Sequence, residues 1–190
     1  MAEKKRAATG SAGQAPRESG KFEQQDNFVE TVLQVRRVTK VIKGGRRLAF
    51  SALVVVGDKE GRVGIASSKS REPAGAISKA FRRARKEMFE VPLYKTTIPY
   101  DVQAQHGASN VIIRSASKGT GVIAGGAVRS VLEALGVKDV LAKALGSSNH
   151  GNVARATLCA LQKLRSAQHI ARLRGKDLNE LMGEVHVNAQ

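Results

Sequence analysis

Residues 48–67 read LAFSALVVVGDKEGRVGIAS. The stretch 48–56 is β-branched and apolar, closing on Leu53-Val54-Val55-Val56, and reads as a strand. Asp58-Lys59-Glu60-Gly61 is a turn, because Asp hydrogen-bonds its own backbone and Gly supplies positive φ. Residues 62–67 then form the returning strand. Working toward the N-terminus, residues 28–41 are rich in Val and Thr and read as a further strand, interrupted by the cations Arg36, Arg37 and Lys40. It breaks at Lys43-Gly44-Gly45-Arg46-Arg47. The two glycines fit either a hairpin tip or a backbone nest for a phosphate, and the flanking cations favour the nest.

Toward the C-terminus, Ile77, Ala80, Phe81, Ala84 and Met88 follow helical spacing and form one apolar stripe, with Pro73 and Pro92 bracketing the helix. Its other positions hold Lys79, Arg82, Arg83, Arg85 and Lys86 against Glu87 alone. They are either a solvated face or phosphate contacts, and pairing within the segment cannot explain them. Three antiparallel strands backed by one helix predict an α+β layer over residues 28–92.

Charge is concentrated in this layer. The 190 residues carry 32 Lys plus Arg against 16 Asp plus Glu, a net of +16, of which residues 28–90 contribute +9, residues 1–27 +1 and residues 91–190 +6. Such an excess repels itself unless a polyanion neutralises it, and nucleic acid is the expected one, since phosphate contacts also release counterions. A membrane is the alternative for a basic chain, but no stretch nears the roughly 20 apolar residues of a span. The N-terminus has no apolar core of a signal peptide. Hydrophobic residues make up 42% of the chain and aromatics 4%, without Trp. An aliphatic core is expected, with few platforms for stacking bases, so the protein should grip phosphates and RNA shape.

A second unit is expected over residues 93–165. Residues 98–105 and 110–115 read as strands. The segment Lys118-Gly119-Thr120-Gly121-Val122-Ile123-Ala124-Gly125-Gly126-Ala127 leads into a helix with Ala124, Ala127, Val128, Val131 and Leu135 on one stripe, which Gly136 caps. Residues 137–142 read as a strand and 149–164 as a helix. The order strand, strand, helix, strand, helix predicts an α/β domain. Residues 1–27 read as a polar, basic, disordered tail. Residues 166–190 form a C-terminal extension, with short helices near Ala171 and Leu178.

Catalysis finds no foothold in this pattern. The glycine segment is neither a P-loop nor a dinucleotide fingerprint. A sugar-kinase-like loop would need an acidic metal ligand and a base, with only Asp101, Glu133 and Asp139 to supply them. The same glycines would equally serve close packing of helix on strand. His106, His150, His169 and His186 lack ligand spacing, and one cysteine, Cys159, supports neither a zinc site nor an internal disulfide. Cys159 reads as a small packed hydrophobe in a reducing cytosol. No enzyme activity, metal, cofactor, small-molecule substrate or membrane partner is expected.

Three segments together resemble the fifth protein of the bacterial small ribosomal subunit as a family: residues 38–46 (VTKVIKGGR), residues 52–64 (ALVVVGDKEGRVG), and residues 119–127 (GTGVIAGGA), with 152–157 (NVARAT) beside them. The resemblance covers residues 30–165. It implies a fold like a double-stranded-RNA-binding domain followed by the C-terminal α/β domain of that family. It implies a cytoplasmic, ribosome-bound structural protein, in contact with small-subunit ribosomal RNA, with messenger RNA at the entrance channel, and with neighbouring small-subunit proteins four and eight. It would support assembly, decoding accuracy and mRNA unwinding. Within it the expected RNA-binding residues are Arg36, Arg37, Lys40, Lys43, Gly44, Gly45, Arg46, Arg47, Lys69, Arg71, Arg82, Arg83 and Lys86. Thr39, Lys40, Gly44 and Gly45 correspond to the family's spectinomycin-associated loop, and Gly119, Gly121, Gly125, Gly126 and Arg129 to its protein interface. A free RNA chaperone is the rival expectation.

Overall fold

In the computed structural model, which describes residues 28–176, the 48–67 stretch forms the middle of an antiparallel sheet. Its strands are β1 (Val29–Ile42), β2 (Gly45–Gly57), β3 (Arg62–Ser70) and a two-residue β4 (Phe89–Glu90), in the order β1-β2-β3-β4. The fourth strand was not expected from the sequence. It is too short for a periodic signal and exists because Phe89 and Glu90 pair with Val63 and Arg62. Expectations for residues 1–27 and for a helix near Leu178 lie outside the described residues.

Period-two alternation sends β2 side chains to both faces. Ala52, Val54 and Val56 pack with Ala66 of β3 against helix α1 (Pro73–Lys86). The proline stands at the start of α1, where its missing N–H costs nothing. The expected stripe does face the sheet, but its deepest residues are Ala76, Ala80 and Ala84, all fully buried, with Ile77, Phe81 and Met88 half-buried beside them. Small side chains let helix and sheet approach closely. A Cβ on Gly64 would collide with the Ala84 carbonyl.

The second sheet comprises β5 (Val102–His106), β6 (Ser109–Ser115), β8 (Val140–Gly146) and β7 (Val122–Ile123), with β7 parallel to β8 and the other pairs antiparallel. Two helices, α2 (Gly126–Leu135) and α3 (His150–Gln162), cover one face, and α4 (Ala167–Arg174) follows with Ala171 buried. Val111, Ile113 and Val140 point inward to Val128, Leu132 and Leu161. The other face, with Ile112, Ile123 and Leu141, is uncovered, and a cleft of about 340 Å³ lies over it. Cys159 is half-buried against the core, as expected of a small hydrophobe.

One apolar cluster crosses between the sheets. Val55, Val63, Ile65 and Val91 of the first half share a core with Val128, Val131, Leu132 and Leu135. The seam is sealed by backbone. Lys59 N–H donates to the Ala134 carbonyl and Gly61 N–H to that of Leu135, both at 3.0 Å, so the β2–β3 turn satisfies orphan carbonyls at the end of α2. Asp58 holds that turn: its Oδ1 accepts from the N–H groups of Glu60 and Arg62, and its Oδ2 meets Arg62 Nε at 2.6 Å.

Candidate nucleic-acid interface

Beyond the last residue paired to β3, β1 and β2 continue as a two-stranded arm. β3 reaches only to Phe50, whereas β1 and β2 stay paired out to Ile42 and Gly45. Residues 43–47, expected as a break in the chain, are a tight tip instead: Lys43 and Gly44 turn, and Arg46 and Arg47 already lie in β2. Gly44 has φ +86°, the value a type II turn requires at its third position. Neither Gly44 nor Gly45 has an atom within 4 Å of where a Cβ would stand, so the tip is open on all sides.

Cross-strand partners share a face, and this sorts the cations. Arg36, opposite Ser51, and Lys40, opposite Arg47, lie on one face, joined by Lys69, which also pairs with Ser51. Arg37, Thr39 and Arg46 lie on the other. The expected RNA-binding residues of the arm therefore form two rows rather than one patch. Arg36, Arg37, Lys40, Lys43, Arg46 and Arg47 are all exposed, and none of their side chains has a hydrogen bond or ion pair among the described residues. Between them stand Val41 (74% exposed), Ile42 and Leu48, aliphatic side chains with no core to enter. A cleft of about 380 Å³ runs along the arm's base between Lys40, Arg47, Lys69 and Arg71.

The helix cations divide differently from the sequence expectation. Pairing within the segment leaves four of five unmatched, but Arg85 reaches Glu30 of β1 at 2.7 Å and lies over the Phe28 ring. Arg83 pairs with Glu87 at 2.8 Å. Lys79, Arg82 and Lys86 remain without an ion pair among the described residues. The last turn of α1 lies beside Gly64, about 17 Å along β3 from Lys69. Arg82, Arg83 and Lys86 therefore form a patch separate from the arm.

In the second half, Asp139 organises the glycine segment. Its buried carboxylate accepts the N–H groups of Gly119 (2.9 Å) and Gly121 (3.1 Å) through one oxygen. The Gly121 N–H, with the Thr96 hydroxyl, holds the carboxyl below its ordinary range. Gly119 and Gly121 have φ +95° and +75°, which explains these two glycines. Gly125 and Gly126 have ordinary φ and, like the other two, nothing within 4 Å of a Cβ. Close packing of helix on strand is therefore not what these glycines serve. Arg129 is exposed one turn into α2.

The sequence placed the start of α3 at residue 149 but assigned it no binding role. Asn149 caps that helix by accepting the Gly151 N–H, and Asn152 and Arg155 follow, facing Arg36 across a cleft against the first sheet. The N-cap asparagine was the legible signal; the approach to β1 depends on tertiary packing. Among the described residues no group of three His, Cys, Asp or Glu could hold a metal, and no helix is long and apolar enough to cross a membrane.

An α+β chain of two sheets with an open cationic arm and a tethered glycine loop defines a class of strongly basic protein. Comparison narrows it. Residues 28–92 match the family model for the N-terminal domain of ribosomal protein S5, and residues 104–174 that for its C-terminal domain. The chain is 53% identical over 149 residues to small ribosomal subunit protein uS5 of Lawsonia intracellularis, covering 78% of this chain and 91% of that one. It is 52% identical over 163 residues to the Acinetobacter baumannii uS5 (86% and 99%), and 48% over 174 residues to that of Gluconobacter oxydans (89% and 91%). The chain belongs to the uS5 family, a structural component of the small ribosomal subunit.

Proposed function

We propose that the arm anchors small-subunit ribosomal RNA and that the glycine segment contacts neighbouring subunit proteins. The observation that carries the first part is the arm itself: two strands extended past the core, bearing six cations without partners among the described residues. Nothing in the fold needs them there. Family membership makes the chain a ribosome-bound cytoplasmic protein, so ribosomal RNA is the nearest polyanion. Lys69 and Arg71 extend the arm's surface, and Arg82, Arg83 and Lys86 supply a second contact. The exposed Arg83–Glu87 pair contributes less than about 1 kcal/mol, so a phosphate can displace it.

The protein-facing role of Gly119, Gly121, Gly125, Gly126 and Arg129 draws support from continuity. Ile123, 55% exposed, lies within that segment and on the uncovered face of the second sheet. Small-subunit proteins four and eight are the proposed neighbours. Messenger RNA at the entrance channel, decoding accuracy and the response to spectinomycin at Thr39, Lys40, Gly44 and Gly45 complete the reading. The proposed units are residues 28–92 and 93–165.

Replacing Lys43, Arg46 and Arg47 by Ala should reduce the log-log salt dependence of RNA affinity by about 2–3, at 0.7–0.9 per lost phosphate contact. Their exposure predicts a stability change within about 0.5 kcal/mol. Filter binding to small-subunit ribosomal RNA across a salt series measures the slope. An unchanged slope would mean that these side chains are merely solvated.

A further inference from the structure

Where α3 begins, the second half comes down onto the first sheet, and ideal Cβ placement on Gly151 brings it within 4.0 Å of Leu53. Between them is a cleft of about 190 Å³, walled by Arg36, Ser51 and Ser67 from the sheet and by Asn149, Asn152 and Arg155 from the helix. No carboxylate lines it. Two guanidinium groups, one from each half of the chain, thus share a small polar space, and neither has a hydrogen bond or ion pair among the described residues. Like charges brought together by folding repel unless an anion lies between them.

We propose that this cleft seats one backbone phosphate of the RNA, gripped from opposite walls by Arg36 and Arg155. The guanidinium fork suits phosphate oxygens, which accept two parallel N–H bonds from it. Ser51, Ser67 and Asn152 offer further donors at the same place. The positive end of α3, a thirteen-residue helix, adds to the field. Arg36 is also the first member of the row that continues through Lys40 and Arg47 toward the tip. Lys40 lies about 13 Å further along β1, so one strand of RNA following the arm would run into the cleft. The site makes RNA binding depend on both halves being docked, since neither half holds both arginines.

The proposal rests on the RNA-anchoring role of the arm, and the test separates the two. Small-subunit ribosomal RNA is titrated with full-length wild type, Arg155→Ala, Arg155→Lys and Lys43→Ala/Arg46→Ala/Arg47→Ala across a salt series, each variant first shown to keep the wild-type urea midpoint. Arg155→Ala should lower the salt slope by about 0.7–0.9. Arg155→Lys should restore the slope while leaving affinity below wild type, because an ammonium cannot form the fork. If Arg155→Ala binds as wild type does while the arm variant loses slope, the cleft is not a phosphate seat and the arm stands. If the arm variant also keeps its slope, the RNA-anchoring reading itself fails. Inorganic phosphate should compete weakly and only at this site; saturation of the cleft by phosphate with no loss of RNA binding would also overturn the assignment.

Discussion

Gly57 and Gly136 face each other's segments across the seam between the two sheets. A Cβ on Gly57 would strike the Ala134 carbonyl, and one on Gly136 the Lys59 carbonyl. Gly136 also ends α2 at φ +96°, with Val137 N–H donating back to the Leu132 carbonyl. Neither backbone can retreat without breaking the Lys59 and Gly61 hydrogen bonds to α2. Alanine at either position should therefore cost about 2–3 kcal/mol, read as a lower urea midpoint; an unshifted midpoint would mean the seam is loose. Two carboxylates make a second prediction. Burial pushes the Asp58 carboxyl up, but the N–H groups of Arg62 and Glu60 and the Arg62 guanidinium outweigh it, and its pKa falls below the ordinary value. Asp139 is lowered too, by Gly121 N–H first. A lowered folded pKa contributes stability that is present above the unfolded value, near 3.9, and lost as pH drops through the folded one. The urea midpoint should thus show no loss from these groups between pH 7 and 5 and fall in stronger acid. Asp139→Asn should blunt that acid loss and speed amide exchange at Gly119 and Gly121 by on the order of tenfold, the effect of one weakened charge-assisted hydrogen bond; unchanged exchange would count against the tether.

The arm is the element whose removal the fold should tolerate. From residue 39 to 48 no side chain is buried, and the arm touches β3 only from Phe50 onward. Replacing residues 39–48 by a two-residue Asn-Gly turn should leave the melting temperature within a few degrees, while RNA affinity falls by at least tenfold at physiological salt; circular dichroism melts and filter binding check the two halves of that statement. Here the sequence was informative about existence and less so about limits. Asp58 and Gly61 marked the central turn because their chemistry is local. The tip at Lys43 and Gly44 looked like a longer break because five charged or flexible residues follow Ile42, yet pairing of Lys40 with Arg47 carries the strands through them. Ile98, Tyr100, Val102 and Ala104 alternate as a strand would, but β5 begins only at Val102. Pro99 lacks the N–H a ladder needs, and Ile98 is buried from a loop. Residues 137–142 were read as a strand, whereas Val137 closes α2 and β8 runs Val140–Gly146. The arm's cations were legible as charge on a strand; the two rows they form, and Arg155 facing Arg36, were not, since both depend on register and on packing between distant segments.

At the scale of the molecule, the shared core sets the mode of unfolding. Val55, Val63 and Ile65 have one set of neighbours in the first sheet and another on α2. Separating the halves would return these fully or nearly buried side chains to water. A single cooperative transition is expected, with far-ultraviolet dichroism and the fluorescence of Tyr94 and Tyr100 coincident in urea. Residues 28–92 expressed alone should bind RNA weakly and unfold at a lower midpoint than the whole chain; two resolved transitions in the intact protein would show that the seam does not couple them. The docking of the β2–β3 turn on α2 has a consequence for how the chain is born. The three long strands of the first sheet are complete by Ser70, but the helix that covers their second face ends at Leu135, about 65 residues later. At 5–20 residues per second, the Leu53-Val54-Val55-Val56 strand presents an apolar face for roughly 3–13 seconds of synthesis before its cover arrives. That interval, rather than any weakness of the finished fold, is when a nascent chain most needs a chaperone's protection.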